Sequence, residues 1–277
     1  MLDGTVGLGG HASVFLPRIL PSGKYIGLDL DATILDLARQ RLVDTPSGVL
    51  YLMHGNYADF PGFLPQAGAD SVDLMLLDLG VNSAQLDDPT RGFSFDRDGP
   101  LDMRYDSGQA EQALDLVNRL GENELADLFY QFGQEGASRK IAKRICQVRH
   151  TGRIRTTKVL ASAVESVFAS GRATQRGKVH PATRVFQALR VAVNRELENL
   201  ERFLRQTPQF LAVGGKLAVI SFHSLEDGIV KRFIRQCEAE GTLRELTKRP
   251  VGPDDEERGR NPRSRSAKLR LAERVAN

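Results

Sequence analysis

The chain has 277 residues, 41% of them hydrophobic and 26% charged, with a formal net charge of +3, two cysteines and no tryptophan. That length suits one large core or two small ones, and no run approaches the roughly 18 apolar residues of a membrane span. Cys146 and Cys237 are too few for a disulfide framework and lack metal-ligand spacing; the opening residues MLDGT have neither the basic nor the apolar stretch of a signal peptide, so a reducing, cytoplasmic setting is expected.

The first hundred residues alternate between strand-like and helix-like segments. Tyr25–Leu30 is a short apolar run ending in acid, and Ala32–Leu42 follows with Ile34, Leu35, Ala38 and Leu42 at helical spacing. Val49–Met53 reads as a second strand. Val72–Leu79, apolar apart from Asp73 and Asp78, reads as a strand covered on both faces. From about residue 106 to 211 helix follows helix: Glu111–Leu120, Glu122–Phe132, Ser138–Val148, Thr157–Phe168 and a long one from Ala182 to about Leu204. Strand character returns at Lys216–Phe222. A helix over Leu225–Glu240, a loop over Pro250–Arg265 and a last strand at Lys268–Ala272 complete the chain. The expected architecture is α/β, with a cofactor-type domain formed by 1–105 and 212–277 and a helical insert over 106–211.

Charge is divided unevenly along this plan. Residues 1–138 carry 8 Lys and Arg against 21 Asp and Glu, whereas residues 139–205 carry 16 against 4. A block so basic marks a surface for a polyanion, with Arg149, Arg153 and Arg155 as expected phosphate contacts.

The chemistry-bearing residues begin with Asp3-Gly4-Thr5-Val6-Gly7-Leu8-Gly9-Gly10-His11-Ala12. Gly7, Gly9 and Ala12 fit the G-x-G-x-x-G/A fingerprint, and Asp29 lies 20 residues past Gly9 at a strand end, where an acid accepts bonds from ribose hydroxyls. The pattern suits NAD, FAD or S-adenosylmethionine. Asp3, an acid ahead of Gly-x-Gly, shifts the balance towards the last, with its carboxylate expected near cationic groups. Leu76-Leu77-Asp78-Leu79-Gly80-Val81-Asn82-Ser83 then leaves a buried strand at its C-terminal end, where open α/β sheets bind ligands. Asp78, Asn82 and Ser83 offer acceptors for the protons of an exocyclic amine. His223 follows another strand in the same way.

Five segments together carry a specific resemblance: DGTVGLGGH, LLDLGVNSAQLDDPTRGFSFDRDGPLDMR, HPATRVFQALRVAVNRELENL, ISFHSLEDGIVKRF and NPRSRSAKLRLAER. In this order and across essentially the whole chain they resemble the MraW/RsmH family. The resemblance implies a class I, Rossmann-like methyltransferase sheet with an inserted all-helical domain. It implies methyl transfer from S-adenosylmethionine to cytosine N4 of bacterial 16S ribosomal RNA, with ribosomal RNA or the small subunit as partner. Gly9, Gly10 and His11 would line the methionine end of the cofactor, Asp29 would hold the ribose, Tyr57 would lie beside the adenine, and Asp78 and Gln85 would complete the contacts. Asp102, as an acceptor for the amine, and His223 are the catalytic candidates.

Two other readings are open to the same residues: a non-catalytic RNA-binding or assembly factor with a vestigial cofactor site, and an NAD-dependent oxidoreductase. Asn82 and Ala84 stand where the family usually has Ser and Pro, and Tyr105 where it usually has Met. Only Met1 and Leu2 precede Asp3, whereas the family has a further segment there. A central strand cut to a stub is expected to leave neighbouring backbone groups unpaired, which suggests an N-terminally shortened chain of weak activity.

Overall fold

A computed structural model describes residues 1–168 and 180–276. It opens with β1 (Leu2–Asp3), α1 (Gly10–Ile19), β2 (Tyr25–Asp29), α2 (Ala32–Arg41), β3 (Leu50–His54) and β4 (Val72–Asp78). The middle is helical: α3 (Ser83–Asp87), α4 (Ala113–Arg119), α5 (Glu122–Gly133), α6 (Ser138–Thr151), α7 (Thr157–Ser166), α8 (Ala182–Val193) and α9 (Glu196–Phe210). The chain closes with β5 (Leu211–Ser221), α10 (Ser224–Ala239), β6 (Leu243–Glu245), α11 (Asp255–Arg260) and β7 (Lys268–Arg274). No helix among the described residues is long and apolar enough to cross a membrane.

Two compact units result, one of Met1–Gly80 with Leu197–Asn277 and the other of Val81–Glu196. The divisions fall at 80 and 196 instead of the expected 105 and 211, and packing explains the shift. Phe93, Leu101 and Met103 belong to the helical unit's core, whereas Leu200, Phe203 and Leu204 belong to the sheet's.

The first unit is a seven-stranded sheet in the order β3-β2-β1-β4-β5-β7-β6. β1 to β5 pair in parallel and β7 runs antiparallel to β5. This is the expected doubly wound, Rossmann-like sheet. β2 shows why its sequence is almost continuously apolar. Tyr25 packs with Ala12 and Leu16 of α1 and Leu35 of α2. Ile26 and Leu28, pointing the other way, pack with Phe203 of α9 and Ile229 and Ile234 of α10. α2 starts where the Asp31 carboxylate accepts the N–H groups of Thr33 and Ile34. β1 has two residues and pairs on both sides, Leu2 lying between Ile26 and Met75. Because β1, β2, β4 and β5 run in one direction, Asp3, Asp29, Asp78 and Ser221 end on one edge of the sheet.

The second unit is a helical core built on Phe129, Ile141, Ile145, Leu160, Val185 and Leu189. The single helix expected over Ala182–Leu204 is two helices. The break is at Asn194 and Arg195, and Arg195 takes a left-handed φ of 49°. The buried Asn194 side chain accepts the Tyr105 N–H at 2.8 Å and donates to the carbonyls of Met103 at 2.8 Å and Arg190 at 2.9 Å. It thereby ends α8 and fastens the 103–105 loop, where Met103 has a φ of 65°. Asn194→Ala is expected to destabilise the protein by about 2–4 kcal/mol, because buried backbone groups lose their partners. Urea unfolding of the variant beside the parent measures it, and a loss under about 0.5 kcal/mol, the scale of a neutral surface change, would refute the account of this break.

Residues 250–265, expected to be a loop, contain α11. The Asp254 side chain caps it by accepting the Glu257 N–H at 2.7 Å, and Arg258–Asp255 and Arg260–Glu256 pairs line it. Caps and charge pairs build this helix without apolar periodicity.

Candidate functional site

The loop from β1 to α1 occupies the sheet edge described above. Gly9 sits in the left-handed region at φ 77° and opens α1, whose first turn has no side-chain cap, leaving its N–H groups for a ligand. A Cβ on Gly4 would lie 2.5 Å from Leu77 Cδ2 and 2.8 Å from Tyr57 Cβ. Glycine there lets the loop lie directly against Tyr57, whose ring meets Phe203 edge-on with centroids 5.7 Å apart.

Three acids converge on the loop, each with a different environment. Asp3 is fully buried; it accepts the Tyr25 hydroxyl and, at 3.0 Å, the Thr5 N–H. Burial pushes its carboxyl up. Enclosed in this way it organises the loop, which corrects the expectation that it faces a cationic ligand. Asp29 accepts the Gly7 N–H through Oδ2 and the Asp31 N–H through Oδ1, both at 2.9 Å. It therefore ties the glycine loop to β2, and each oxygen keeps one lone pair for a hydroxyl. Burial is the main cause that raises its carboxyl to about 6, against the bonds from Asp31 and Gly7.

Asp78 differs from both. Its backbone N–H donates to Thr5 Oγ1 at 2.7 Å, and its Oδ2 meets His11 Nε2 at 3.2 Å. Oδ1 is buried and has no hydrogen-bond partner among the described residues. An orphan buried carboxylate oxygen is costly unless a ligand donor satisfies it. The bond from Asp78 is also the main cause that raises the His11 imidazole above its ordinary value, against burial.

Gly9, Gly10, His11, Asp29, Tyr57 and Asp78 thus all lie in the first unit around one loop. His223 is in the same unit, as the N-cap of α10. Its Nδ1 accepts the Glu226 N–H at 3.4 Å, while Glu226 Oε2 accepts the N–H groups of Phe222 at 2.8 Å and His223 at 3.2 Å. His223 Nε2 is 3.2 Å from Glu226 Oε1 but outside hydrogen-bonding geometry. This reciprocal cap gives His223 a structural role in turning the chain out of β5.

Gln85 and Asp102 belong to the second unit. Gln85 Oε1 accepts the Asn82 N–H at 3.1 Å and Asn82 Oδ1 accepts the Gln85 N–H at 3.0 Å, a reciprocal cap that starts α3. Asp102 takes Arg104 Nε at 2.7 Å on one oxygen and Arg104 Nη2 at 2.8 Å on the other, with Gln112 Nε2 at 3.3 Å. Both oxygens of this carboxylate are thus engaged by the guanidinium. Sequence reading missed Tyr25 and Thr5, whose hydroxyls fix Asp3 and Asp78; the Thr in Asp-Gly-Thr was the available signal.

Of the arginines expected to touch phosphates, Arg149 donates to the carbonyls of Val117 at 2.9 Å and Leu120 at 2.6 Å, closing the end of α4. Arg153 pairs with Asp115 at 3.3 Å, and Arg155 is exposed. Arg172, Arg176 and Lys178 of the basic block lie outside the described residues.

The chain matches the MraW methylase family over residues 1–275. Ribosomal RNA small subunit methyltransferase H of Sorangium cellulosum is 48% identical over 274 residues, which cover 99% of this chain and 84% of that protein. The protein of the same name from a Cyanothece strain is 48% identical over 274 residues, 99% of this chain and 87% of its own. That of Nitratidesulfovibrio vulgaris is 47% identical over 292 residues, 99% and 80% respectively.

Proposed function

The chain belongs to the MraW methylase family, and from that premise we propose that it moves a methyl group from S-adenosylmethionine to N4 of a cytidine in small-subunit ribosomal RNA. What supports the reading most is the likeness, over 99% of this chain, to relatives that carry that ribosomal RNA name. The site's residues fit the cofactor: an uncapped helix start for a carboxylate and Asp29 for vicinal hydroxyls. Bound, the cofactor supplies an electrophilic methyl group on a sulfonium.

This chain's residues then have distinct tasks. Gly9 and Gly10 leave room at the start of α1, Asp29 accepts the ribose hydroxyls, and Tyr57 offers its ring to the adenine. Asp78 Oδ1 accepts a hydrogen bond from the cytosine amine, aligning its lone pair with the methyl group. On methyl transfer Asp78 would take up the proton that the amine loses. His11, half-exposed and bonded to the other oxygen, keeps that carboxylate oriented. Gln85, Asp102 and His223 act by fixing loops. No thiolate is needed: Cys237 is buried and its thiol is pushed up by burial, and Cys146 lies on a helix remote in sequence from every motif.

The Asp29 carboxyl predicts a pH dependence. Raised from 3.8 to about 6 in the fold, it holds its proton more tightly than in the unfolded chain, so ionising it between those values costs stability. Hydroxyl donors favour the ionised form. S-adenosylmethionine affinity is therefore expected to fall as the pH drops below about 6, with proton release on binding near that pH. Asp29→Asn should remove the slope, and calorimetry in buffers of different ionisation heat reads both. Binding NAD in preference to S-adenosylmethionine would overturn the assignment.

A further inference from the structure

α6 has the sequence SRKIAKRICQVRHT and contains no acidic residue. Ile141, Ala142 and Ile145 bury its apolar side in the helical core. Its exposed side carries Arg139, Lys140, Lys143, Arg144, Gln147 and His150. Arg139, Lys140 and Lys143 do nothing for the helix itself. Arg139 and Lys140 stand in the first turn, where the macrodipole repels cations. Arg139 with Lys143, and Lys140 with Arg144, are like charges four residues apart, which repel along a helix surface. Arg144 Nε donates to Ser166 Oγ at 2.9 Å. Among the described residues, no hydrogen bond or ion pair holds Arg139, Lys140 or Lys143.

Helix geometry turns these residues into a track. At 3.6 residues per turn, Arg139, Lys143 and His150 fall within about 40° of one another, and the stripe runs about 16 Å. Its far end opens into a cleft of about 810 Å³ lined by Glu111, Asp115, Arg119, Arg149, His150 and Arg153. The Arg119–Glu111 and Arg153–Asp115 pairs there are about half-exposed, so they exchange readily for an anion. Uncompensated repulsion along a straight exposed stripe is what a fold retains for an anionic partner.

We propose that the exposed face of α6, continuing into this cleft, grips the phosphodiester backbone of a single-stranded stretch of RNA. A membrane surface fits less well, because an interfacial helix presents its apolar side and that of α6 is already buried. The surface rests on the ribosomal-RNA reading above and adds which residues hold the strand. Arg149 is excluded from the grip's free charges, since it closes α4.

The test uses the full chain with Arg139→Gln, Lys140→Gln and Lys143→Gln combined, and as probe a labelled single-stranded RNA of about 30 nucleotides. A second triple variant, Lys248→Gln, Arg249→Gln and Arg265→Gln, removes the same charge from the first unit. Affinity is measured by fluorescence anisotropy over a range of salt, with S-adenosylmethionine binding and thermal melting alongside. The α6 variant is expected to bind RNA about ten- to a hundredfold more weakly near 0.15 M salt, with a salt slope lower by about 2 and unchanged cofactor binding and melting. Equal losses in the two variants, or none in the α6 variant, would overturn the surface while leaving the methyl-transfer reading standing. A parent that neither binds RNA nor methylates small subunits would overturn both.

Discussion

Asp78→Ala is expected to slow methyl transfer by about a hundred- to a thousandfold at saturating cofactor and RNA, the scale of losing one aligned group at a reacting centre. Its carboxylate ends β4 on the binding edge of the sheet, and Oδ1 is buried without a partner. Protein contacts neglect that oxygen, so truncation removes little from the fold. Among the described residues the side chain bonds only to His11, and the backbone N–H keeps its bond to Thr5. His11→Ala should therefore cost less, since it loosens the carboxylate without deleting the acceptor. Asp78→Asn keeps an oxygen but lacks the charge to take a proton, and should stay close to Asp78→Ala in rate. Single-turnover rates with separately measured affinities distinguish these effects. An Asp78→Ala rate within threefold of the parent would remove Asp78 from the chemistry.

Asp29→Ala is expected to weaken S-adenosylmethionine binding about ten- to a hundredfold, equivalent to about 1.5–3 kcal/mol. Two effects contribute, because the carboxylate serves both the ligand and the glycine loop. Losing it frees the Gly7 N–H and removes the acceptors for ribose hydroxyls. A cofactor analogue lacking those hydroxyls separates the two: the parent should discriminate against it and Asp29→Ala should not. Equal discrimination by parent and variant would assign Asp29 to the loop alone.

The parallel sheet was legible because its strands are apolar on both faces and end in acids; Asp29 and Asp78 stand where their strand ends placed them. The glycines likewise announced a close backbone approach. Asp3 was misread because nothing local in the sequence shows that Tyr25, on the neighbouring strand, closes over it. The setting of Asp102 was hidden for a similar reason: nothing local shows that Arg104, two residues away, is its ion-pair partner. The split between α8 and α9 was hidden because helical spacing continues through Asn194, and only a tertiary contact to the 103–105 loop ends the first helix. α11 was missed because it depends on a cap and ion pairs and has no buried face. The basic block was visible as charge, but sequence could not separate Arg149, which closes a helix, from Arg139 and Lys143, which point to solvent.

The central claim is which atom receives the methyl group. Small ribosomal subunits lacking this modification are incubated with the protein and S-adenosylmethionine labelled in its methyl group, and the RNA is digested to nucleosides. Direct transfer to an exocyclic amine, with Asp78 as the acceptor and no cysteine in the site, predicts label in N4-methylcytidine that disappears in Asp78→Ala. Label in 5-methylcytidine or in a ribose-methylated nucleoside, or labelled N4-methylcytidine at undiminished rate from Asp78→Ala, would contradict it.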